Sequence, residues 1–81
     1  MRVRVPNLLG KDVHDASFID FPDELSDDPK ATKRVLEVRP AGGEALRLEK
    51  YSADEIELVE ASPAEEKELA EQGFDAVQRP G

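Results

Sequence analysis

Apolar and polar side chains alternate from the first residue. Within MRVRV, Met1, Val3 and Val5 fall on one side and Arg2 and Arg4 on the other, the period-two pattern of a half-buried strand. Pro6 has no backbone N–H to offer a neighbour, so the strand ends there or lies at a sheet edge. NLLGKDVHD follows without a period; Leu8 and Leu9 can cap a core and Gly10 can turn the chain. Residues 1–15 thus read as an extended N-terminal arm and loop. ASFIDF resumes the alternation, with Ser17, Ile19 and Phe21 facing one way and Phe18 and Asp20 the other, and predicts a second strand. PDELSDDPK then gathers prolines, acids and a serine, so an acidic, proline-containing loop is expected over residues 22–32.

KRVLEVRP and EALRLEKY form the clearest pair. Leu36 and Val38 share one face of the first, Leu46 and Leu48 one face of the second, and PAGG between them supplies a proline stop and two glycines free to take positive φ. A hairpin follows. SADEIELVEAS carries two patterns at once: Ser52 and Glu55 have capping-box spacing, whereas Ile56 and Leu58 alternate with Glu55 and Glu57. Two β-branched residues and the nearby start of the next helix favour a short strand over residues 52–61. SPAEEKELAEQGF predicts a helix of about ten residues. Ser62 is its N-cap, Pro63 suits the first turn and Glu65 closes a capping box; Gly73 suits a left-handed stop that returns Phe74 onto Leu69. Residues 75–81 read as a tail with one apolar anchor, Val77. The expected fold is therefore α+β: one small domain over residues 1–81, a small antiparallel sheet or barrel-like arrangement of four to five short strands, and one short C-terminal helix.

Composition narrows the reading. With no Cys there is no disulfide framework and no thiolate metal site, and a core this small gains from a partner or from self-assembly. No apolar run approaches the roughly 20 residues that span a bilayer, and MRVRVPNLLG lacks the continuous apolar stretch of a secretory leader. No membrane role is expected. The formal charge of −8 is uneven, because residues 41–81 carry eleven acids against four bases. Such a half repels free DNA or RNA, so no direct nucleic-acid binding is expected, and the natural partner is a protein.

The chemistry-bearing residues are sparse. His14 is the only histidine and falls in the arm-and-loop stretch between Asp12 and Asp15, and no serine sits in a nucleophile's context. The acids of the 22–32 loop lack the ligand spacing and closing Glu of a calcium loop, and PAGG is not followed by the Gly-Lys-Ser/Thr of a phosphate loop. The expectation is a protein that is not an enzyme and uses no cofactor or metal.

After the PAGG hairpin, the ending ASPAEEKELAEQGF, through Ser62, Glu65, Leu69, Gly73 and Phe74, resembles the ending of many short proteins of tailed-bacteriophage head and tail genes. The resemblance covers the second half of the chain. It implies a virion accessory protein, such as a capsid decoration, head-completion or connector component, present in many copies and without catalysis. Its location would be the virion, and otherwise the cytoplasm. Two alternatives share the acidic composition: an inhibitor or DNA mimic filling a basic groove, and a small antitoxin-like regulator. In a multi-copy assembly the arm residues Arg2, Val3, Arg4 and Val5 would add as a strand to a neighbouring copy and meet its acidic face, including Glu57, Glu60, Glu65 and Glu68.

Overall fold

The computed structural model describes residues 1–79, and the alternation read from the sequence becomes a five-stranded antiparallel sheet in the order β4-β3-β2-β1-β5. Its strands are β1 (Arg2–Val5), β2 (Gly10–Pro22), β3 (Thr32–Arg39), β4 (Leu46–Leu48) and β5 (Glu57–Glu60). The α+β architecture and the C-terminal helix match the expectation. A single helical turn, α1 (Pro6–Leu9), closes the β1–β2 hairpin. Pro6 begins the turn, and Gly10, at φ 74°, pairs across with Val5.

The expected arm over residues 1–15 does not exist. β1 is an inner strand, bonded to β2 on one edge and β5 on the other, and Val3 and Val5 are fully buried. An unpaired MRVRV would leave two strongly apolar side chains in water, whereas the inner position covers them and satisfies both backbone edges. The loop expected around His14 is likewise strand: β2 begins at Gly10, and His14 faces Val3 across the ladder.

One face of the sheet carries the core. Val3, Ala16, Phe18, Leu36, Val38, Leu48 and Leu58 contribute from the strands. The chain leaves β4 at one edge and reaches β5 at the other through a 3-10 helix (Lys50–Glu55), which buries Ala53 on the way. So the short strand expected over residues 52–61 is confined to Glu57–Glu60, and the residues before it are helical without a cap from Ser52. Helix α2 (Pro63–Glu71) then returns over the same face.

Local chemistry fixes both ends of α2. The Glu65 N–H donates to the Ser62 hydroxyl at 3.2 Å, and the Ser62 N–H donates to the Glu65 carboxylate at 2.8 Å. At the stop, Gly73 takes φ 80°, its N–H reaches the Ala70 carbonyl, and the Phe74 N–H reaches the Leu69 carbonyl at 2.8 Å. This is the Schellman pattern. It turns Phe74 inward, where its ring meets Phe18 edge-on with centroids 5.2 Å apart. Beyond it Val77 is buried and Gln78 exchanges backbone hydrogen bonds with Ile56 and Leu58, a parallel pairing on the outer edge of β5. The expected tail over residues 75–81 is therefore anchored within its described part. Pro80 and Gly81 lie outside the described residues.

Candidate functional site

The uncovered face of the sheet holds its charges in balance. Arg2 pairs with Asp15, Arg4 with Glu57, and Lys33 with Glu49, while Glu37 sits between Arg39 and Arg47. Arg39 also donates to the Ser17 hydroxyl at 2.7 Å. Arg47, on β4, places its guanidinium 5.1 Å from the centre of the Phe21 ring on β2. To get there it must cross β3, where Val35 lies, and Val35 is only 2 % exposed although it belongs to the face away from the core. The stem of Arg47 thus helps to roof a small apolar row, Ile19, Val35 and Phe21, while its charge stays in water.

On the covering layer the acids of α2 are engaged too. The N-terminal ammonium of Met1 donates to the Glu65 carboxylate and to the Ala16 carbonyl at 3.0 Å. That ammonium, and secondarily the Ser62 N–H, hold the Glu65 carboxyl below the usual glutamate range. Arg34 bridges Glu68 on α2 (3.0 Å) and Asp20 on β2 (3.1 Å), and these hydrogen bonds, the one to Glu68 foremost, raise the pKa of its guanidinium. Arg79 reaches Glu66 at 2.8 Å. Each contact ties the covering layer or the tail to another part of the molecule.

All but Glu60 of the residues expected to bind a partner are buried or paired within the chain, which corrects the docking arm. Val3 and Val5 are core. Arg2 and Arg4 lie opposite Glu60 and Glu57, because β1 pairs with β5 of the same molecule. Of the expected complementarity, the Arg4–Glu57 ion pair is made within the fold, while Arg2 pairs with Asp15 of β2. Glu65 and Glu68 hold the N-terminus and Arg34. The structural set Ser62, Glu65, Leu69, Gly73 and Phe74 does come together, as the cap, buried contact and stop of α2.

Two surface features lay outside the sequence reading. Leu25 stands 94 % exposed in the loop between β2 and β3, the most exposed of the large apolar side chains. Hydrogen bonds order that loop: Asp23 N–H to the Ala31 carbonyl, Leu25 N–H to the Asp23 carboxylate, and Lys30 N–H to the Asp28 carboxylate. A leucine within an acidic stretch carries no periodic signal, so its outward placement was not legible. The second feature is a hollow of about 440 Å³ lined by Arg4, Pro6, Lys11 and Glu57, beside the α1 turn. Tyr51 is also exposed; its hydroxyl donates to Glu49, which raises its pKa.

His14 has its Nε2 buried without a hydrogen-bond partner. Among the described residues no three His, Cys, Asp or Glu side chains are grouped to hold a metal ion, and no helix is long and apolar enough to cross a membrane. No family model matches the chain, and no curated protein or solved structure matches it either.

Proposed function

We propose that this chain is a non-enzymatic interaction protein that docks on a larger assembly, as an accessory component of a tailed-phage virion: a capsid decoration, head-completion or connector protein. The observation that carries the reading is Leu25, a large apolar side chain held in solvent on an ordered loop, in a protein whose other apolar side chains are mostly gathered into one core. Isolated exposed leucines are common, but one set on ordered backbone is already shaped to dock. The capped helix with its glycine stop, the feature that resembles phage head and tail proteins, adds to it. Charged side chains support the same reading, since Arg34, Glu37 and Glu65 are each engaged by several neighbours in structural contacts.

The test follows the protein through density-gradient purification of particles from producing cells, with quantitative mass spectrometry of the particle band. Many copies per particle are expected. A chain that stays in the soluble fraction as a monomer and competes with DNA for a basic enzyme would instead favour the acidic-inhibitor reading. The acids between Asp54 and Glu71 would be the surface such an inhibitor uses.

A further inference from the structure

Two features of the surface are complementary and lie at opposite ends of the molecule. Leu25 projects from a loop whose neighbouring acids Glu24 and Asp27 have no ion-pair partner among the described residues. The hollow beside α1 is walled by Arg4, Pro6, Lys11 and Glu57, with Arg4 ion-paired to Glu57 at 3.3 Å. Lys11 has no ion-pair partner among the described residues either, and its backbone carbonyl accepts from Arg4 Nε. One end therefore presents an apolar knob among acids and the other a hollow rimmed by the Arg4–Glu57 ion pair and by Lys11, whose charge is unpaired among the described residues.

The same copy cannot join the two. Lys11 is the second residue of β2, and the Leu25 loop begins where β2 ends. The strand between them spans roughly 36 Å at about 3.3 Å per residue. The longest dimension of the whole molecule is 41 Å.

We infer that copies of this chain associate head to tail, the loop of one seating Leu25 in the hollow of the next between Pro6, Lys11 and the Arg4–Glu57 pair, with Glu24 and Asp27 facing Lys11. This rests on the reading of the chain as a docking protein and names its partner as a second copy. Because the two surfaces differ, each added copy leaves one of each free, and the assembly grows as a chain or closes as a ring. A knob of one leucine buries less than a standard interface, so single contacts are weak and repetition makes them persist. The loop is already ordered, so little freedom is lost when it docks.

The test is sedimentation velocity of the purified full chain over a wide concentration range, at low and high salt. Mass should rise with concentration, and added salt should weaken association several-fold through screening. Leu25→Asp and Lys11→Glu each alter an exposed side chain, so both should melt like wild type by circular dichroism. Each alone should weaken self-association by about tenfold or more. Mixed in equal amounts, they should form a 1:1 dimer and stop, because one retains the hollow and the other the loop. A chain monomeric at every concentration, a variant that associates like wild type, or a mixture that grows past the dimer would overturn the inference. Monomeric protein that is nevertheless found in particles would defeat this contact and leave the docking reading standing. Self-association of a chain never found in particles would do the reverse.

Discussion

Replacing Phe74 by Ala removes the largest fully buried side chain in the protein. Its ring fills the space between α2 and β2, edge-on to Phe18, and its backbone N–H closes the helix stop on Leu69. Truncating a buried Phe to Ala costs about 3–5 kcal/mol through lost transfer energy and the cavity left behind. The whole stability of an 81-residue domain is only about 4–12 kcal/mol at typical values per residue. Phe74→Ala therefore removes from a quarter to all of it. The neighbouring Gly73→Ala gives the contrast. Its φ of 80° strains any other residue, and the added Cβ would lie 3.3 Å from Lys50 Cδ, a flexible side-chain carbon that can yield, so the cost is about 1 kcal/mol. Urea unfolding followed by far-UV circular dichroism suits a chain without Trp. The expected midpoint shift is about 2–4 M for Phe74→Ala and under about 1 M for Gly73→Ala, taking a slope near the low end for small proteins. A Phe74→Ala midpoint indistinguishable from wild type would refute the placement of the α2 stop over the core.

Deleting residues 1–5 removes an inner strand and separates β5 from β2, so the remainder should lose its cooperative unfolding transition; a truncated chain that melts like wild type would show that β1 is not central. Glu65→Gln keeps an oxygen for the Ser62 N–H but loses the charge facing the N-terminal ammonium, and should cost about 0.5–1 kcal/mol at neutral pH, a small value because Glu65 is about a third exposed. The folded carboxyl has a depressed pKa, so its contribution is present above the unfolded value near 4.3 and is lost as pH falls through the folded value. The gap between wild type and Glu65→Gln should accordingly close in acid. A gap independent of pH, read from urea midpoints, would rule out the ionic contact.

What the sequence disclosed was what short-range chemistry decides. The α2 caps involve residues three to five apart, and the β3–β4 hairpin places Leu36 and Val38 against Leu48 and Leu46 across one turn. Both were legible. The partner of β1 was not, because Arg2 faces Glu60, far away along the chain, and no local period encodes which distant strand fills an edge. The alternation of MRVRV gave the buried side correctly, yet it is equally compatible with an arm and with an inner strand. β2 looked too short because its first residues, Lys11 and Asp12, are both exposed where the strand projects past the core, so their alternation has no apolar side. Ser52 to Leu58 held helix and strand patterns in succession, and only the need to cross the sheet decides where one gives way to the other. The Leu25 knob and the hollow beside α1 depend on which side chains the fold leaves in water, which no pattern of neighbours specifies.

The inner position of β1 also sets an order of events in time. During synthesis β1 and β2 emerge first and can pair through the α1 turn, but the other edge of β1 stays bare until residues 57–60 have been made. The N-terminal ammonium waits still longer for Glu65. Closing a loop of that length precedes the contacts that reward it, which slows folding in proteins dominated by distant pairings. An early hairpin with Val3 and Val5 uncovered on one side is a sticky nascent species. Its lifetime on the ribosome is set by how quickly the last third of the chain arrives.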